Sequence, residues 1–210
     1  HFFAQEGSKS GLLVMNHEAT SHSSNERASA FVHINGGTNT LPRPAAEVDR
    51  EVPLHGVSVV EVKKNGAAFA YVKDSSFNRR ITSLTPVTLS GLAAGSGLMK
   101  SKFSADGKTA RGTLNNCGTG STPWGTTLTG EENWAGYFTR GAADDAARGN
   151  DKSVASLKRY GRNQGAASRH GWETGGADDK YARWDISKKG ASADGSDDYR
   201  NELNTFGYLV

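Results

Sequence analysis

The stretch GVSVVEVKKNGAAFAYVK, residues 56–73, carries the plainest structural signal in the chain. Two β-rich runs, residues 57–63 and 67–73, flank Asn65-Gly66, a pair that tolerates the positive φ of a tight turn. The stretch predicts a β-hairpin. Before it, Gly11-Leu12-Leu13-Val14-Met15-Asn16 is a short apolar run, long enough for a buried strand and too short for a globular helix. Between the two lies a polar stretch to about Arg50 that reads as a long loop, with one helical turn near residues 45–48. Downstream, Asp106-Gly107 marks another turn. Ala-rich residues 131–162 have local helical character, and residues 165–201 are rich in Gly, Ser, Asp and Arg. Trp172, Tyr181, Trp184 and Tyr199 punctuate that last region, and aromatics at such density require burial. Short strands, tight turns and long loops predict a mainly β fold in one domain, with a helical insertion at about 135–200.

Composition narrows the function. Hydrophobic residues are 35% of the 210, 26 residues are glycine, and 25 basic residues face 22 acidic ones for a net charge of +3. The basic residues form no block of five or more, so nucleic-acid binding is not expected. No run of eighteen apolar residues is present, and the opening HFFAQEGSKS has neither a basic nor a long apolar signal region. A single cysteine excludes an internal disulfide and leaves the compartment open. The closing NTFGYLV is a β-type run that stops in mid-pattern, which predicts a piece of a longer protein.

That one cysteine sits in NNCGTGSTPWGTTLTGEEN, residues 115–133, a loop and a short strand away from Glu131 and Glu132. Two segments end alike. In GLLVMNHEA (11–19) and GTTLTGEEN (125–133), a glycine opens the run and a glutamate follows seven residues later, at Glu18 and Glu132. Strand ends hold carboxylates rigidly where loops can converge on them. Carboxylates suit hard cations, whereas a thiolate prefers a softer or redox-active one, so Glu18, Cys117 and Glu132 together would not make a simple zinc site. The plainer alternative is a buried, inert cysteine beside solvated glutamates. Other motifs fail. Counted from Asp194, the EF-hand glycine and glutamate positions hold Tyr199 and Thr205, and neither a P-loop nor a G-x-S-x-G elbow occurs.

Leu13-Val14-Met15-Asn16-His17-Glu18, Asn116-Cys117, Thr122-Pro123-Trp124-Gly125-Thr126, Glu131-Glu132-Asn133 and Asn204-Thr205-Phe206-Gly207-Tyr208 resemble, in order, segments of the PhoX family of bacterial alkaline phosphatases. Arg159-Tyr160-Gly161 and the segment DKYARWD (179–185) are similar to its longer members. The resemblance implies the first blades of a six-bladed β-propeller whose axial end holds ferric iron and calcium. It also implies hydrolysis of small phosphate monoesters by a monomer, exported already folded by the twin-arginine route to the periplasm or the exterior. By motif, Cys117 matches an iron ligand, and Glu18 and Glu132 match carboxylate ligands of the cluster. Asn16, His17 and Glu131 are expected to flank these ligands rather than bind metal. Gly118-Thr119-Gly120 departs from the family's loop after the cysteine, and the family's further ligands fall beyond Val210, so this chain would carry part of the site. Two other readings stay open: a calcium-dependent propeller hydrolase of lactones or other non-phosphate esters, and a non-catalytic propeller module stabilised by metal.

Overall fold

The computed structural model describes residues 1–20, 32 and 41–210. The central strand is β3 (Gly56–Asn65). Along one edge it pairs antiparallel with β2 (Ser10–His17), in a register that runs from Ser10 opposite Lys63 to His17 opposite Gly56. Its other edge is shared by β4 (Ala68–Tyr71) and β5 (Arg79–Thr82), while β1 (Phe2–Gln5) pairs with the outer edge of β2. The expected hairpin is therefore β3–β4, and Gly66 takes φ +62 at its turn, the left-handed value that favours glycine. Val14, Val57 and Val59 form a small core on this sheet, with Phe3 and Leu12 packed against it.

Two further hairpins follow. β6 (Pro86–Thr88) pairs with β7 (Thr109–Arg111), and β8 (Asn116–Ser121) pairs with β9 (Thr127–Glu131). The β-type run at the end of the sequence is only partly a strand. Residues 202–205 form a turn of 3-10 helix and Phe206 is buried, after which the chain lies along β9. Thr129 and Val210 exchange two backbone hydrogen bonds of 2.9 Å there. The chain is mainly β, and its described short α-helices with both ends defined are α1 (Ala45–Glu51), α2 (Asp144–Ala147), α3 (Lys152–Arg159) and α4 (Asp179–Ala182). Among the described residues, no helix is long and apolar enough to cross a membrane.

The expected helical turn near residues 45–48 extends into α1, whose Val48, with Val52 one turn on, faces the core. Most of the polar stretch before it lies outside the described residues. The segment at 135–200 supplies much of the main core. Ala135, Tyr137, Phe138, Leu157, Trp172, Tyr181, Trp184 and Ile186 belong to one buried cluster with Val48, Val52, Leu114, Leu203 and Phe206. Trp172 and Trp184 are fully buried with ring centroids 4.7 Å apart, and Tyr181 and Tyr199 are buried as well. The aromatics of that polar-looking region are its core.

At the centre of this core is one carboxylate. Glu51 is fully buried and accepts from Arg43 Nη2 at 2.9 Å, Trp172 Nε1 at 2.9 Å and Thr20 Oγ1 at 2.6 Å; His170 Nδ1 stands 3.2 Å away. Beside it, His55 is buried against the rings of Tyr137, His170 and Trp172, with Nδ1 3.1 Å from the Glu51 carbonyl. Burial first, and the neighbouring His170 second, push His55 down to about 4, although the Glu51 and Val52 carbonyls and the Glu51 carboxylate oppose this. A histidine depressed in the fold is neutral there while the unfolded chain protonates it near 6.5, so stability falls as pH drops from about 6.5 to about 4. The expected loss over that window is about 3 kcal/mol from this residue. Urea unfolding measured across it should show a shallower decline in His55→Phe than in the parent, and an unchanged slope would remove His55 from the acid response.

Candidate metal centre

Glu18 and Glu132 each occupy the first position past a strand, after β2 and β9 respectively. The two strand ends lie side by side because Asn16 bridges them. Its Nδ2 donates to the carbonyls of Cys117 (2.9 Å) and Gly118 (3.3 Å), and its Oδ1 accepts from Thr129 Oγ1 (3.0 Å). Cys117 lies in a bulge of β8: pairing runs from Asn116 opposite Glu131 to Thr119 opposite Thr129, so Cys117 and Gly118 together face Gly130. A bulge re-aims the side chains it contains. Here one ligand atom each from Glu18, Cys117 and Glu132 comes within 4.8 Å of the other two, and all three residues are exposed. The Glu132 and Glu18 carboxylates beside it push the Cys117 thiol up to about 11. Among the described residues, Glu18 and Glu132 have no ion pair with lysine or arginine.

The donor chemistry fits a multivalent cation. Three groups that carry or can carry negative charge converge on one point at the surface, and a cation between them would relieve the repulsion that now keeps the thiol protonated. Cys117 is exposed rather than buried.

Glu131 is turned away from this cluster and does different work. It is half-buried, and its Oε1 accepts from Thr113 Oγ1 (2.8 Å) and the Leu114 amide (3.0 Å). Its Oε2 accepts from the Gly207 amide at 2.6 Å and the Tyr208 amide at 3.2 Å. Burial raises its carboxyl above the usual range against the pull of these four bonds. Adjacent glutamates thus divide between an exposed donor and an internal brace. His17 places Nε2 2.8 Å from Ser58 Oγ, across the β2–β3 pair. Burial, then the charge of Arg80, lowers its pKa. Of the three flanking residues, Asn16 alone hydrogen-bonds the backbone of a cluster residue.

Two contributors had no clear signal in the sequence. Asn115 is buried with φ 53, donates from Nδ2 to the Glu18 carbonyl at 3.0 Å, and accepts the Glu132 amide on its own carbonyl at 2.9 Å. Its only trace is the Asn-Asn pair before the cysteine, since asparagine tolerates left-handed backbone. Glu51 contributes from 33 positions further along than Glu18 through its bond to Thr20, two residues past the ligand. No local pattern could have announced that contact.

The sequence model of the family described as alkaline phosphatase PhoX matches residues 1–210. No curated protein matches the chain. Among solved structures, PhoX of Pseudomonas fluorescens, in complex with vanadate as a transition state analogue, is 32% identical with a TM-score of 0.74. The match covers 99% of this chain and 30% of that one, so the chain spans less than a third of its structural relative. With a family match along its whole length and a shared architecture, the chain belongs to the PhoX alkaline phosphatase family.

Proposed function

We propose that this chain carries part of the metal centre of a phosphate-monoester hydrolase built on a β-propeller, and that Glu18, Cys117 and Glu132 hold iron and calcium there. One observation carries the reading: donors from three separate segments meet within 4.8 Å on an exposed surface. The vanadate bound to the Pseudomonas relative supports phosphoryl chemistry for the complete protein. Cys117 offers the sulfur that favours iron, and the two glutamates offer oxygens that suit calcium. Bound cations supply the positive charge that stabilises a phosphoryl group in transfer. The protein side of the work is placement. Asn16 fixes the Cys117 backbone against β2, and Glu131 braces the base of the β8–β9 hairpin, from which Glu132 projects. Exposure leaves the cluster open to small soluble esters.

The test uses the intact protein with a chromogenic phosphate monoester beside a lactone. Turnover of the phosphate ester that is lost on calcium chelation and restored by calcium supports the reading. Turnover of the lactone alone assigns the site to the other hydrolase class, and metal-dependent melting without any turnover assigns it a structural role.

A further inference from the structure

We propose that Asn115 is the positioning residue that sets the spacing of the three donors; this rests on the reading of Glu18, Cys117 and Glu132 as metal ligands. The side-chain amide of Asn115 holds the carbonyl of Glu18 at 3.0 Å, and its main-chain carbonyl holds the amide of Glu132 at 2.9 Å. Two peptide bonds further on is Cys117, at the start of the bulged β8. One residue thus touches the backbone of two ligands and leads covalently into the third. Each of the three connections is short, so movement of Asn115 moves all three donors together.

Its conformation serves the same end. The left-handed φ of 53 turns the chain out of Leu114, which is fully buried in the main core, into the exposed hairpin that bears Cys117. Asparagine reaches that region more readily than most side chains, whereas glycine reaches it at no steric cost. The side chain is aimed by its partner: rotated by half a turn, its oxygen would face the Glu18 carbonyl, acceptor against acceptor. In the observed orientation, Oδ1 is buried with no hydrogen-bond partner among the described residues. Leaving a buried acceptor unmatched is unfavourable, so the bond to Glu18 is kept against a local cost. Glycine would meet the backbone need without it. What glycine lacks is the tether.

That contrast supplies the experiment. Asn115→Gly, Asn115→Ala and Cys117→Ala are made in the intact protein, and calcium affinity by titration, iron retained after dialysis and the thermal midpoint are measured. Loss of groups that orient metal ligands typically weakens metal binding about 10–100-fold. Both Asn115 variants are expected to bind calcium at least about tenfold more weakly, with Asn115→Gly melting close to the parent. If Asn115→Gly binds as the parent does while Asn115→Ala does not, backbone conformation is the whole role and the tether is refuted. Parental binding in both variants, or failure of both to fold, also overturns the proposal. Parental iron in Cys117→Ala indicts the metal reading itself, a separate outcome, because the Asn115 variants report on spacing only when the cysteine control loses iron.

Discussion

Replacing Cys117 by alanine in the intact protein should, on the proposed function, empty the iron position and lower phosphate-ester hydrolysis by more than about 100-fold, beyond the usual effect of altering a ligand's supporting groups. The substitution removes the one sulfur among the three described donors and leaves both carboxylates in place. Calcium should accordingly fall less than iron when both are measured by elemental analysis. Glu18→Gln and Glu132→Gln should show the reverse weighting, because an amide oxygen is a weaker ligand than a carboxylate while the sulfur is untouched. The fold should tolerate all three changes, since each residue is exposed and none lies in either core. Thr119→Ala, an exposed change two residues along the same hairpin, is the control. Iron content and activity in Cys117→Ala equal to those of the parent would remove the thiol from the centre.

Glu51→Ala should be the most damaging single change to stability, at about 3–5 kcal/mol, the range for breaking a buried ion pair from one side. Arg43 has no exposed side-chain surface and, once Glu51 is gone, keeps among the described residues the His170 carbonyl and the more distant Glu47 carboxylate, at 3.8 Å. Trp172 and Thr20 lose their acceptor in the same step. Asp49→Ala on the same helix breaks the exposed pair with Lys180 and takes the acceptor of the Tyr181 hydroxyl, and should cost less, about 1–2 kcal/mol. Urea midpoints of the two variants give the comparison; similar losses would mean that burial of Glu51 does not control its contribution. Arg43→Met combined with Glu51→Leu should recover part of the loss, because removing both charges leaves neither stranded. Since Thr20 stands two residues past Glu18, calcium affinity in Glu51→Gln also reports how far the metal centre depends on this buried hub.

What could be read from the sequence followed the range of each interaction. The β3–β4 hairpin was legible because Asn65-Gly66 and alternating β-formers act over a few residues. The Asp106-Gly107 turn was legible for the same reason: Asp106 Oδ1 accepts the Lys108 amide at 3.0 Å and Gly107 takes φ +68. The three donors were named from motif order, and the structure brings them together; their partners were not foreseen. Adjacent Glu131 and Glu132 look alike in sequence, and only the approach of Gly207 and Tyr208 separates their fates. Likewise, residues 165–201 look like polar decoration until their aromatics meet α1 and Leu114 in one core. Asn115, Glu51 and Glu131 all act on parts of the chain that sequence spacing does not connect.

The distribution of the donors has a consequence for biogenesis. A ribosome elongating at about 5–20 residues per second delivers Glu18 several seconds before Cys117 and Glu132. During that interval the nascent segment offers Glu18 without the two donors that stand beside it in the fold. On the proposed reading of these donors as metal ligands, discrimination among ions is thereby deferred until translation has passed β9 and the tertiary contacts have closed.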